Sequence, residues 1–182
     1  MLALAVQIEK KRDSIEGESM VWHVVGQESD FNTDPNIHLL NLLRNRWSVN
    51  GADNDPDLKV MNTHGHGVRF ATDWFNARVW YQIIVKPLSR NMSKVTLGSK
   101  GYFECRSHHI IHIFAKGRSA RDKIWKLEKE VERIIAESMV DMQDSIQLVL
   151  LEDFRRLPVE DPAGDVEHSI ANVVLRYYKV ST

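Results

Sequence analysis

One amphipathic segment in the second half of the chain most constrains its fold. Between residues 119 and 137, apolar residues recur at spacings of three and four, the period of a helix with one buried face. The positions are Ile124, Leu127, Val131, Ile134, Ile135 and Ala136. Ser119 and Asp122 resemble a capping box at its start, and charges of both signs fill the other side. The segment predicts a long helix that covers one face of a sheet.

Two segments before this helix have the two-residue period of strands. Residues 78–86 place Val79, Tyr81, Ile83 and Val85 on one face, and Pro87 is expected to end the strand. Residues 102–115 are apolar on both faces, which predicts a central strand. Residues 88–101 are rich in Ser, Asn, Gly and Lys, so we predict a projecting hairpin loop between the two strands.

The first third of the chain contains a shorter helix signal. Asp34 followed by Pro35 is a typical helix start, and a helix over about 35–47 is predicted from apolar residues at helical spacing. These residues are Ile37, Leu40, Leu43 and Trp47. Residues 58–62 are compatible with a strand, and the glycines of residues 63–67 predict a loop.

The end of the chain predicts two more strands around an acidic loop. Residues 146–151 form a continuous apolar run, which we interpret as a strand although the end of a helix fits as well. Residues 152–167 are acidic and contain two prolines, which predicts a loop. Residues 169–180 alternate Ala171, Val173, Leu175 and Tyr177 with more polar positions, as a closing strand does.

Together these elements predict an α+β fold with one domain over residues 34–182. It is a mostly antiparallel sheet covered on one face by the long helix, with the shorter N-terminal helix and the hairpin loop added. Residues 1–33 read as an N-terminal arm, in which Met20–Val25 could add one strand. The 182 residues are 43% hydrophobic and 27% charged, values typical of one globular domain.

Composition excludes several classes of protein. The net charge of −1 provides no global field toward nucleic acid or an anionic membrane. A single cysteine, Cys105, excludes an internal disulfide framework and a cysteine-rich zinc site. No apolar run approaches the roughly 20 residues of a membrane span, and no signal-peptide pattern is evident, so we expect neither a membrane protein nor a secreted one.

Histidines are the first candidates for chemistry. His108 and His112 project from one face of the predicted central strand and could share a metal ion with His64 or His66. No HExxH, CxxC or spaced carboxylate pattern supplies the remaining ligands or a general base. We therefore expect packing roles and no metal, and keep a small metal-dependent hydrolase as an alternative.

Other catalytic patterns are missing from the sequence. There is no GxSxG elbow, no GxxxxGK[ST] loop and no GxGxxG loop. Cys105 lies beside His108 and His109 only in sequence, so a packed thiol is the better interpretation. We expect no catalytic residue and no cofactor.

Charge is distributed unevenly between two predicted loops. The segment 86–106 contains five basic residues against Glu104, and the segment 152–167 contains six acidic residues against two arginines. In a head-to-tail ring, each basic loop could meet a neighbour's acidic loop. The candidates for this subunit interface are Arg90, Lys94, Lys100, Glu160, Asp161 and Asp165. Two alternatives stay open: simple solvation of both loops, and phosphate binding by the basic one.

The order of these elements resembles the tail-terminator and tail-completion family, which joins neck and tail in tailed phages and viruses. The stretches that carry the resemblance are residues 36–43 as the opening helix, 80–85 as an early strand, 109–115 leading into the helix 119–137, and 170–180 as the closing strand. The long arm of residues 1–33 and the enlarged hairpin 88–101 depart from the family pattern.

The resemblance implies a non-catalytic virion protein. Its subunits would form a homo-oligomeric ring, usually a hexamer, that caps the tail tube and joins it to the neck. Neighbouring tail-tube or neck proteins would be its partners, DNA would be at most transient in the lumen, and no membrane would be involved. The alternatives are the hydrolase that uses His64, His66, His108 and His112, and a nucleic-acid-binding module that uses the basic hairpin.

Overall fold

Five strands and two helices make the described part of the protein an α+β structure, as the sequence predicts. The computed structural model describes residues 34–94, 102–140, 146–159 and 165–180. The predicted arm 1–33, with its strand at Met20–Val25, lies outside them. The helices are α1 (Pro35–Asn45) and α2 (Ala120–Val140), and the strands are β1 (Val68–Ala71), β2 (Tyr81–Lys94), β3 (Tyr102–Lys116), β4 (Ile146–Leu157) and β5 (Val166–Val180).

The strands form one sheet in the order β1-β2-β3-β5-β4. β1 is parallel to β2, and every other neighbouring pair is antiparallel. β3 is central, which confirms the interpretation of its two apolar faces. β1 was not predicted, because four residues are too few to show a period. Neither described helix combines the length and the apolar character that a membrane span requires.

The long helix α2 covers one face of the sheet and supplies much of the core. Ile124, Leu127, Val131 and Ile134 are fully buried, and they pack with inward residues of β2, β3 and β5. Two predictions for this helix are wrong. Ala136 is exposed, and Glu130, predicted on the solvent side, is only 5% exposed.

The short helix α1 packs beside α2 on the same face. The Asp34 side chain accepts a hydrogen bond from the Asn36 backbone N–H at 2.9 Å, which confirms the predicted cap. The buried side differs in part from the prediction: Leu39 and Leu43 are fully buried, whereas Ile37 is 44% exposed.

The connection from α1 to β1 contains two short 3₁₀ helices, Ala52–Asn54 and Pro56–Leu58, in place of a strand. The strand predicted at residues 58–62 is therefore wrong, and only an isolated bridge from Val60 to Val68 remains. Trp47 fixes this connection, because its indole N–H donates to the Leu58 carbonyl at 2.8 Å. The segment 63–67 is a turn, as predicted.

The described part of the hairpin between β2 and β3, residues 88–94, is strand where a loop was predicted. β2 continues through Pro87 to Lys94, with a shift of register between Pro87 and Ser89. Proline is tolerated here because β1 pairs with β2 only as far as Ile84, so β2 has an open edge at residue 87 within the described residues. Residues 95–101 of the predicted loop lie outside the described residues.

The predicted acidic loop is also partly strand. β4 runs to Leu157 and β5 begins at Val166, so residues 152–157 and 166–167 of this segment are strand and not loop. A shift of register between Leu151 and Asp153 realigns β4 after its apolar run. β4 lies at the edge of the sheet, where exposed charges on a strand carry little penalty.

Candidate functional site

The four histidines considered as metal ligands are not brought together. His64 and His66 are exposed in a turn, where their backbone N–H groups donate to the Asn62 side chain at 2.9 and 3.1 Å. His108 and His112 lie on β3, two strands away from β1. Among the described residues, no group of three or more His, Cys, Asp or Glu side chains could hold a metal ion. The placement of these histidines does not support the alternative of a shared metal ion.

His112 instead pairs with His168, which the sequence reasoning did not consider. The Nδ1 atom of His112 lies 3.0 Å from Nε2 of His168, so one imidazole donates to the other. The His168 ring also stacks on Phe114, with centroids 4.1 Å apart. Burial and the neighbouring His112 lower the pKa of His168 to about 4, and burial and Lys86 lower the pKa of His112. Both rings are neutral at neutral pH.

His109 faces the opposite side of the sheet and is a core residue. Its Nδ1 lies 2.7 Å from Oδ1 of Asn36 and its Nε2 lies 2.8 Å from the Ser107 hydroxyl. Because an amide oxygen only accepts, Nδ1 carries the proton and Nε2 accepts from Ser107. Burial lowers the pKa of His109 to about 4, against an opposing effect of Asp34 and with a further lowering by His108. This histidine has the packing role that the sequence analysis expected.

Cys105 is a fully buried thiol, also as expected. It pairs with Tyr177 of β5 in the sheet register, and its sulfur lies 4.0 Å from the Phe103 carbonyl oxygen. A thiol in this position is shielded from solvent, which agrees with its interpretation as a packing residue.

The three interface candidates within the described residues, Arg90, Lys94 and Asp165, lie toward opposite ends of the sheet. Lys94 of β2 pairs with Phe103 at the start of β3, whereas Glu167 of β5 pairs with Ala115 near its end. The two pairs are separated by about 40 Å of β3, at roughly 3.3 Å per residue. Arg90 lies near the first end and Asp165 precedes β5 at the second. The other three candidates, Lys100, Glu160 and Asp161, lie outside the described residues.

Charges at the Lys94 end are partly engaged within the subunit. Glu104 accepts from Arg106 at 2.8 Å and lies 3.0 Å from the Arg176 guanidinium. The Arg90 guanidinium lies 5.6 Å from the centroid of the Tyr177 ring. Arg90 and Arg106 remain exposed, so positive charge still dominates this end of the hairpin.

Two arginines partly neutralise the acidic residues at the end of the sheet that contains Asp165. Arg155 pairs with Asp153 at 2.5 Å, and Arg156 contacts Glu128 at 2.7 Å and Glu167 at 3.7 Å. Asp165 is exposed and makes no ion pair among the described residues. A shallow groove at this end, between the start of α2 and the strand ends, is lined by Arg121, Asp122, Trp125, Arg156 and Glu167.

An aromatic loop, defined here as residues 72–80, is the largest feature that the sequence reasoning missed. It joins β1 to β2 and exposes Trp74 by 83%, Trp80 by 61% and Phe75 by 40%. The Phe75 ring lies 4.6 Å from that of Phe114, on the sheet face that α2 does not cover. The available signal was the adjacent aromatic pair Trp74 and Phe75 in a segment without helix or strand period. Trp80 was predicted within the strand 78–86, but β2 begins only at Tyr81.

Comparisons with known proteins assign no function to the surfaces described above. No protein-family model matches the chain, and no curated protein matches it significantly.

Proposed function

We propose that this chain is a structural virion protein without catalysis, a ring-forming subunit of a tail terminator or of a neck or tail joining complex. The order of its elements supports the proposal, because it resembles that of the tail-terminator and tail-completion family. In this proposal tail-tube or neck proteins are its neighbours, and DNA is at most transient in the lumen of the ring.

The placement of opposite charges at opposite ends of one sheet carries the proposal. Lys94 cannot reach Asp165 of the same subunit across about 40 Å of strand, and Arg90, which pairs with Ser107, is still separated from it by about 30 Å. The same groups can meet when one subunit places its hairpin against the next subunit's β4–β5 end. Such a contact joins two different surfaces, and repeated rotation closes it into a ring.

The shape of the hairpin also suits a contact with a neighbour. Every side chain from Pro87 to Lys94 is exposed, including Leu88 at 62% and Met92 at 49%. Exposed apolar groups between basic groups are typical of the centre and rim of a protein interface. The open edge of β2 contains Pro87 and a register shift, two features that discourage uncontrolled pairing of edge strands.

Charge reversal tests the proposal. We expect the wild-type protein to form a multi-subunit species in light scattering at low salt. The double variant Arg90→Glu with Lys94→Glu should reduce its mass, and Asp165→Lys should do the same. An equimolar mixture of the two variants should regain assembly, because each reversed end then meets its complement.

Lys59→Glu is the matched control, since Lys59 is an exposed basic residue on the connection before β1 and is not part of the proposed contact. It should leave the mass unchanged. A mass that responds equally to Lys59→Glu, or reversed variants that do not complement each other, would count against the proposed contact.

A further inference from the structure

Phe75 of the aromatic loop and three rings of the open sheet face beneath it form a row of ring contacts. Phe75 lies on Phe114, Phe114 stacks on His168 at 4.1 Å, and His168 stacks on His112 at 5.2 Å. Lys86 follows Ile84, the β2 residue that pairs with His112, by two positions. Its ammonium lies 4.6 Å from the centroid of the Trp74 ring.

The two exposed tryptophans of the aromatic loop extend this aromatic surface along β2. Trp80 hydrogen-bonds through its carbonyl to the Lys116 N–H at 2.8 Å, at the start of β2. Trp74 lies over Lys86, six residues further along the same strand. At roughly 3.3 Å per residue, the two tryptophans mark a stretch of about 20 Å.

Charge on this surface is positive. Asp73 is neutralised by the Arg69 guanidinium, which contacts both carboxylate oxygens at 2.7 and 2.6 Å. Lys86 and Lys116 are held by backbone carbonyls of the aromatic loop, at 2.7 and 3.3 Å, so their charge is kept next to the rings without an acidic partner. Arg78 of the same loop is exposed and makes no ion pair among the described residues.

We propose that this surface binds single-stranded nucleic acid, with bases stacked on the exposed rings and phosphates held by Lys86, Lys116 and Arg78. Exposed rings with unpaired cations beside them are the two components of a sequence-tolerant single-strand site. A neutral or mixed-charge protein partner would leave the three cations without complement. The site is distinct from the basic hairpin, which lies at the other end of β2, and it does not depend on ring formation.

Binding of a fluorescein-labelled oligo(dT) of about 12 nucleotides, followed by anisotropy at low salt, tests the proposal. Trp74→Ala should weaken binding by about 5- to 150-fold, which corresponds to the loss of one stacked base. Trp74→Phe should retain most of it. Lys86→Gln should weaken binding and reduce its salt dependence by about one counterion.

Trp125 provides a matched control on the same chain. It is 50% exposed on α2, and Lys129 lies 4.2 Å from its ring centroid, so it repeats the cation and ring pair away from the proposed site. Trp125→Ala should leave oligo(dT) affinity unchanged. Since Trp74 is 83% exposed, its substitution should also leave the far-ultraviolet circular dichroism and the melting temperature unchanged.

Three results would overturn the proposal. The first is no binding of oligo(dT) at low salt, and the second is an equal loss in Trp125→Ala. The third is self-association that Trp74→Ala abolishes without any binding of oligo(dT), which would identify the surface as a protein contact. Failure here is separable from failure of the ring, because Arg90→Glu with Lys94→Glu should alter the assembly mass and leave Trp74-dependent binding in place.

Discussion

His109 makes the stability of the protein depend on pH in a way that can be calculated. The side chain is 2% exposed, and its neutral ring both donates to Asn36 and accepts from Ser107. Protonation would place a second donor against the Ser107 hydroxyl and a charge in the core. His109→Gln removes the titrating group and keeps an amide that can hydrogen-bond.

The sign and size of the effect follow from the two pKa values. The pKa of His109 falls from 6.5 to about 4 on folding, so the unfolded chain binds more protons between these values. Stability is therefore lost as the pH falls through this range. His109 contributes about 3 kcal/mol to the free energy of unfolding while its ring is neutral in the folded state. About 2 kcal/mol of this contribution is lost between about pH 7 and about pH 5.

Urea unfolding at these two pH values measures the effect. The free energy of unfolding of the wild type should fall more on acidification than that of His109→Gln, by about 2 kcal/mol. His64→Gln is the control, because His64 is exposed in a turn, and it should behave as the wild type. Equal losses on acidification in the wild type and His109→Gln would refute the reasoning.

Two further predictions concern stability. Glu130 is 5% exposed and accepts from the Ser48 N–H at 2.9 Å, so Glu130→Ala should lower the free energy of unfolding by about 3 kcal/mol in urea. The exposed Glu132→Ala should change it by less than about 0.5 kcal/mol, and similar losses in both would contradict the assigned role. Gly51 has φ +90, and an added Cβ would lie 1.9 Å from a backbone oxygen, so Gly51→Ala should lower the melting temperature strongly. Gly65→Ala, with φ +80 and open space around it, should lower the melting temperature less. A larger loss in Gly65→Ala than in Gly51→Ala would contradict this prediction.

Long periodic segments were predictable because burial sets their pattern. The helix after Ser119 and the strand from Tyr102 were both found close to their predicted positions. Each buries one complete face, so its period is visible in the sequence. The cap at Asp34 was predictable as well, because it depends on two adjacent residues.

Errors arose where long-range pairing overrides local signals. Pro87 and the polar residues after it suggested a loop, but pairing with β3 extends β2 to Lys94. Glu130 looked like a solvent-side residue, yet the connection after α1 folds over it and provides the Ser48 N–H. Neither partner is visible in a local window of sequence.

The candidate site was only partly accessible to sequence reasoning. The separation of Arg90 from Asp165 could not be calculated before the register of β2, β3 and β5 was known. The pair of His112 and His168 joins residues 56 positions apart, so no spacing rule would find it. The exposure of Trp74 and Trp80 likewise follows from the tertiary structure, since tryptophans are usually well buried.

Direct imaging of the purified protein tests the central claim most directly. Negative-stain electron microscopy of the wild type at low salt should show closed rings with a central opening, built from subunits of 21.0 kDa. The charge-reversed double variant at Arg90 and Lys94 should show few or none. Isolated subunits, open filaments, or rings that persist unchanged in that variant would contradict the account.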